Sequence, residues 1–297
     1  MGIAYQRGML LYNQKRYSMA ADEFRKELVQ NPDSGHAKGM LALSLNYDNK
    51  PKEAIETAKD AIGTDPENGF VHYVMAVITV GSKGRGRWMR YLGILGLMSR
   101  RYTYERRLFK ARKFITEAIR LNPHNVEFLA MMSAIQLDLH RPKQSLEWAE
   151  KGLAIRADHV RCTNLRARAL AAIGRHKEAR ETVRGALALD PESAATHSSS
   201  GWTHLKVGDP QEAVQHFSEA VRLNPNDKDA HKGLRAARLS ARRFKSNLLT
   251  IIISISLICV ANNAFHGDPY APYILASVLG LLILVFIGRR IRRRNIR

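Results

Sequence analysis

Two cysteines in 297 residues, Cys162 and Cys259, are too few to staple a secreted domain or to build a thiolate zinc site, so the chain reads as reduced and intracellular. Only 10 prolines interrupt a composition rich in Ala, Leu, Arg and Glu, which excludes a proline-rich linker protein and favours helix. Acidic residues are scarce beside basic ones, 27 against 47. The resulting +20 predicts attraction to an anionic surface, whether nucleic acid, phospholipid or an acidic partner. The length allows about two domains, or one domain with an appendage.

What is present is a repeat. A short turn recurs as "NPD", "DPE", "NPH", "DPE" and "NPN", with prolines at Pro32, Pro66, Pro123, Pro191 and Pro225. Their spacings are 34, 57, 68 and 34 residues, that is, one period, one period with 23 residues added, two periods, and one period. The turn missing from the double period falls at Ala157, in "IRADH". Aligned on the turn, small residues form one column at Gly8, Ala42, Ala76, Ser133, Ala167 and Gly201. A second column holds Ala20, Ala54, Ala111, Ser145, Ala179 and Ala213. Two such columns mean two helices that cross closely. A third column, Ala61, Ala118, Gly152, Ala186 and Ala220, admits the next unit, and Phe24, Ile115, Val183 and Phe217 fill the space between. Glu27 and Ala58 depart from these columns.

On these columns the chain resembles the tetratricopeptide repeat, a helix-turn-helix unit of 34 residues, in six units over residues 1–225. The expected fold is therefore all-α, a solenoid of helical hairpins. Unit three carries 23 extra residues, about Gly81 to Thr103, between its two helices. Ala157 in place of proline is expected to soften its turn without abolishing it. Residues 226–247, with Leu234, Leu239 and Phe244 among many charges, read as a basic capping helix.

Two uncharged runs of 20 residues follow, Ser246 to Phe265 and Pro269 to Gly288, separated only by His266, Gly267 and Asp268. Each is long enough to cross about 30 Å of hydrocarbon as a helix, so residues 248–288 are expected to form a two-span transmembrane hairpin. Cations flank both ends, Arg238, Arg242, Arg243 and Lys245 before it and six arginines in the tail 289–297 after it. The positive-inside bias places both ends, with the array, in the cytoplasm. No competing anchor is read at the start, where Arg7 interrupts the first dozen residues and Gln6 stands where a myristoylation signal needs Ser or Thr. Cys259 would then lie in the bilayer, apart from Cys162.

The charge is concentrated. Residues 81–113 carry +10, 226–247 carry +5, 289–297 carry +6, and the remainder sums to −1. Charge beside apolar runs points to anionic headgroups. Nucleic acid is the weaker reading, because no zinc spacing or recognition motif accompanies it. The insertion opens with "GSKGRGR" and continues for eight uncharged residues from Tyr91 to Met98, too few to span a bilayer. Arg87, Trp88, Tyr91, Leu92, Leu95 and Met98 could lie in the headgroup plane or enter a partner, and a hairpin folded back on the array is the alternative.

The resemblance implies that the first helix of each unit lines a concave face, with the second, fifth, ninth and twelfth residues pointing into it. Those positions give Tyr5, Met9, Tyr12, Leu43, Tyr73 and Val77 in the first half. In the second half they give Arg161, Asn164, Arg168, Ser198, Trp202 and, one step beyond, Lys206. Such a groove suits a protein segment held by aromatic contact at one end and by hydrogen bonds or charge at the other. Tyr5 and Met9 stand where the family's chaperone-tail clamp has Lys and Asn, so chaperone tails are not expected. His197 and His204 share a helix face without a Glu or Cys to complete a metal set, and "GSKGRGR" lacks phosphate-loop spacing. No enzyme activity, cofactor or metal is expected. The sequence reads as a membrane-anchored scaffold that binds a protein partner, with an accessory subunit of a membrane complex and a nucleic-acid-binding protein as alternatives.

Overall fold

In the computed structural model, which describes residues 2–81 and 93–242, the described residues form thirteen helices and no strand. In chain order these are α1 (Ile3–Asn13), α2 (Tyr17–Gln30), α3 (Gly35–Tyr47), α4 (Pro51–Thr64), α5 (Gly69–Gly81), α6 (Gly93–Leu121) and α7 (Val126–Asp138). There follow α8 (Pro142–Ile155), α9 (Val160–Ile173), α10 (His176–Leu189), α11 (Ala194–Val207), α12 (Pro210–Leu223) and α13 (228–242). Odd-numbered helices open the units and even-numbered helices close them.

The two helices of a unit differ in how much they bury. Past the terminal α1, the opening helices bury more: α3 buries nine residues between Gly35 and Leu45, whereas its closing partner α4 buries only Ala54, Ala58 and Ala61. Opening helices therefore lie between neighbours, and closing helices rest one stripe on them. The small columns do what their size requires. Ala20, Ala54, Ala111, Ala179 and Ala213 are all at 0 % exposure. A Cβ added to Gly8 would come within 2.7 Å of Phe24, and one added to Gly201 within 2.8 Å of Phe217. Where unit four has serine in both columns, Ser133 Oγ donates to Ser145 O at 2.8 Å and lies 3.0 Å from Ser145 Oγ, so the two hydroxyls satisfy each other in a buried place.

Turn chemistry repeats with the units. The tight turn inside a unit needs a left-handed residue, found at Lys15 (φ 61°), Asn49 (φ 63°), His140 (φ 59°), Gly174 (φ 97°) and Gly208 (φ 101°). Pro51, Pro142 and Pro210 then start closing helices, where a missing N–H costs nothing. Between units, a side chain caps each opening helix: Ser34 to Ala37 N, Asn68 to Phe70 N, Asn125 to Glu127 N, His159 to Cys162 N, Ser193 to Thr196 N and Asp227 to Asp229 N. The turn holding Ala157 keeps its shape, with His159 N donating to Arg156 O at 3.2 Å as Asn125 N does to Asn122 O at 3.2 Å.

Glu27 departs from its column for a local reason. Its carboxylate is buried and accepts from Gly2 N at 3.0 Å, Tyr5 N at 3.3 Å and Asn31 Nδ2 at 3.0 Å, so it caps the start of α1. These bonds, first that from Gly2, hold its pKa below the ordinary carboxylate value.

The added residues of unit three do not all form a connector. The closing helices α2, α4, α8, α10 and α12 each have 14 residues, but α6 has 29 and is about 22 Å longer, with the later part of the insertion, from Gly93, forming its start. Arg87, Trp88, Tyr91 and Leu92 lie outside the described residues, and Leu95 and Met98 are placed only as helical backbone.

α13 caps the array by contact with α12. Ala230 and Ala237 are at 0 % exposure, and a Cβ on Gly233 would meet Phe217 at 2.2 Å. Leu234 is buried with them, but Leu239, expected among the apolar contacts, is 56 % exposed because it falls on the opposite side of the helix. Phe244, the expected hairpin at 248–288 and the tail 289–297 lie outside the described residues. No helix among the described residues is long and apolar enough to cross a membrane.

Candidate partner-binding face

Successive opening helices touch one another, α3 with α5, α7 with α9 and α9 with α11, while no successive closing helices make comparable contact among the described residues. The opening helices therefore line the inner side of the array. Along its first half runs a row of rings from four helices: Tyr5 and His36 at 5.8 Å, His36 and Phe70 at 4.2 Å, Phe70 and Tyr73 at 6.3 Å, and Tyr73 stacked on Phe128 at 5.2 Å. Burial lowers the pKa of His36, against the opposing charge of Asp65, so the ring joins the row as a neutral imidazole at pH 7. A second group, Tyr12, Tyr17 and Tyr47, meets at the edge with centroids 5.0 to 6.0 Å apart, and Tyr47 is 49 % exposed.

The ring row passes into a charged network at the middle of the face. Tyr73 feels the positive charge of Arg161, whose guanidinium lies 3.1 Å from Glu127 Oε2 and 3.7 Å from Met131 Sδ. The other Glu127 oxygen lies 2.8 Å from His159 Nε2. Burial alone would raise the Glu127 pKa, but the His159 hydrogen bond and the Arg161 charge outweigh it and keep the carboxylate ionised. Glu127 and Met131 of α7 thus hold a guanidinium of α9 that is still 42 % exposed, and His159 in the turn before α9 holds Glu127. Further along, Asn164 Nδ2 donates to Thr196 Oγ1 at 3.3 Å, and Trp202 Nε1 donates to Asp229 Oδ2 at 3.2 Å, tying α9 to α11 and α11 to the residues of α13.

The twelve groove positions divide by exposure. Met9, Tyr12, Tyr73, Val77, Asn164, Arg168 and Trp202 are half-buried on the face, and Arg161 and Lys206 are exposed. Tyr5, Leu43 and Ser198 are buried at 6 %, 6 % and 8 % exposure and serve packing. His36, Phe70 and Glu127, absent from that set, occupy the second position of their units. Their column was legible in the sequence.

The histidines have structural work. His72, His197 and His231, each six residues after a turn proline, place Nε2 at 2.8 to 2.9 Å from the carbonyl of Pro66, Pro191 or Pro225. His197 and His204 share their helix face as expected, and His216 from α12 joins them with centroids 5.6 and 5.1 Å away. Burial and the neighbouring rings push His216 down to about 4. Among the described residues no group of three or more His, Cys, Asp or Glu could hold a metal ion.

This geometry defines a helical-hairpin solenoid with a preformed inner face, a class that binds rather than encloses. Sequence models described as tetratricopeptide repeat match residues 5–69, 136–194 and 194–227, and the chain belongs to the tetratricopeptide-repeat family. No curated protein matches it significantly. Among solved structures, the hetero-tetramer of the APC/C proteins Cut9 and Hcn1 is similar at 15 % identity and TM-score 0.58, over 79 % of this chain and 42 % of that one. PilF of Pseudomonas aeruginosa is similar at 19 % identity and TM-score 0.50, over 77 % and 94 %. TTC0263, a tetratricopeptide-repeat protein of Thermus thermophilus, has 17 % identity and TM-score 0.48, over 80 % and 97 %. At these identities the likeness to the first two shows the fold alone.

Proposed function

We propose that the chain is a non-catalytic scaffold that binds a protein segment along its inner face and is held at a membrane by its C-terminal apolar runs. The observation that carries the reading is the passage of an aromatic row into a fixed, partly exposed guanidinium, Arg161, on one continuous face. A segment with apolar side chains toward α1 and an acidic or hydrogen-bonding group toward α9 would complement it. Support for the tether comes from the two uncharged 20-residue runs and the cations on both sides of them, which favour the cytoplasmic side for the array and both ends. The same cations would meet anionic headgroups. An accessory subunit, its hairpin packed on other spans, would share the face and the tether.

The tether is tested by fractionation: the full chain is expected to stay with membranes through high salt and carbonate, and release by either contradicts it. Cysteines introduced by Ser82→Cys and Asn295→Cys should label from the cytoplasmic side alone, and labelling from the other side overturns the topology. The face is tested by Val77→Asp with Arg168→Ala and Lys206→Ala, residues not in the small-residue columns. Capture of the partner in intact membranes should fall at least tenfold with helical content unchanged, and undiminished capture contradicts the assignment.

A further inference from the structure

The outward side of α6 carries charge that the groove does not use. Tyr102, Arg106, Phe109, Lys110 and Lys113 fall at spacings of four, three, one and three, which puts them on a single helical stripe, and all five are exposed. The rings among them are large and open, Tyr102 at 63 % and Phe109 at 40 % exposure. The opposite side is fully committed to the array: Leu108, Ala111, Ile115 and Ala118 are at 0 % exposure, and Tyr104 donates to Asp138 at 2.7 Å. The stripe is therefore held rigidly outward by the packing beneath it.

On two other closing helices, cations pair with carboxylates one turn away. On α2, Arg25 pairs with Asp22 at 2.8 Å and Lys26 with Glu23 at 2.6 Å, and on α12 Arg222 pairs with Glu219 at 2.6 Å. α6 does the same at its far end, where Arg120 lies 2.7 Å from Glu117. Among the described residues, Arg106, Lys110 and Lys113 form no such pair, and Glu105 is the sole acidic residue from 93 to 116. Instead the guanidinium of Arg106 lies 5.8 Å from the Tyr102 ring centre and that of Arg112 lies 5.3 Å from that of Phe109. Unneutralised cations interleaved with exposed rings are the composition of a surface that meets headgroups, the rings at the level of the glycerol and the cations on phosphate. The helix also opens, in sequence, with the uncharged residues 93–98.

We infer that the Tyr102–Lys113 stripe of α6 docks on an anionic phospholipid leaflet, as a second contact besides the C-terminal tether. This rests on the proposed membrane attachment, which brings the array to a bilayer. A tether fixes one end, and a second contact on a different helix orients the array and with it the inner face.

The test uses the full chain, with Cys162→Ser and Cys259→Ser, carrying Phe109→Cys labelled with an environment-sensitive fluorophore. It is reconstituted into vesicles of phosphatidylcholine alone or with phosphatidylglycerol. Emission from position 109 should shift blue, and an aqueous quencher should lose access, in the anionic vesicles only. The shift should disappear in the variant that also carries Arg106→Glu, Lys110→Glu and Lys113→Glu, whose helical content by circular dichroism should be unchanged. Equal emission in both compositions overturns the inference, as does a shift that survives charge reversal or one produced by a duplex oligonucleotide without anionic vesicles. Flotation with the neutral vesicles reports the tether separately: a chain that fails to float defeats the tether, while emission in the anionic vesicles still decides the stripe.

Discussion

At the scale of single residues, the repeat places the same physical demand at each position and answers it with different side chains. The left-handed turn position shows this best. Glycine meets it without strain at Gly174 and Gly208, whereas Lys15, Asn49 and His140 hold φ near 60° against their Cβ atoms. His140→Gly is therefore expected to stabilise the array by about 0.5–1 kcal/mol, and Gly174→Ala to destabilise it by about 1 kcal/mol. Urea unfolding of both variants checks the pair, and a destabilised His140→Gly would show that the imidazole makes a compensating contact. Glu27 provides a pH signature. Because its pKa is depressed in the folded state, its contribution is present above the ordinary carboxylate value of 4.5 and is lost as pH falls through the folded value. Amide exchange at the start of α1 should be faster in Glu27→Gln than in the native chain at pH 7, with the difference shrinking toward pH 3. A difference independent of pH would contradict an ionised cap.

At the scale of elements, the units were legible because packing is periodic: the small columns of the sequence are the residues that the structure buries. The caps were written there too, at Ser34, Asn68, Asn125, His159, Ser193 and Asp227, but a column that mixes several residue types announces itself weakly. The helical continuation of α6 was legible in part, because Leu95 and Met98 stand at helical spacing within the uncharged run Tyr91 to Met98. Its dependence on the array runs one way. Removing residues 81–103 restores the bare period and keeps Ala76 and Ala111, so thermal melting should remain cooperative with a small drop in midpoint. Loss of cooperativity would mean that the first part of α6 supports the fold. The groove was legible in part. Glu127 and Arg161 stand one period apart with opposite charge, and His36 and Phe70 one period apart as rings, so sequence columns foretell these contacts. The burial of Tyr5, Leu43 and Ser198 follows from neighbours on other helices, which a position rule does not contain.

At the scale of the whole molecule, the charge and the rings divide the array into two sides with different uses. The inner side offers an aromatic row leading to Arg161, and the outer side of α6 offers cations without acidic partners among the described residues. The proposed tether and the proposed α6 contact would together present the inner face at a set distance from a bilayer. The most direct measurement is site-specific photo-crosslinking in intact membranes, with the reactive amino acid at Val77 or Arg168 on the inner face and at Lys59 or Arg184 on exposed positions of α4 and α10. The account predicts one discrete crosslinked partner from both inner positions and none from the outer pair. Equal crosslinking from Lys59 and Arg184, or none from Val77 and Arg168 while the partner is still captured, would contradict it.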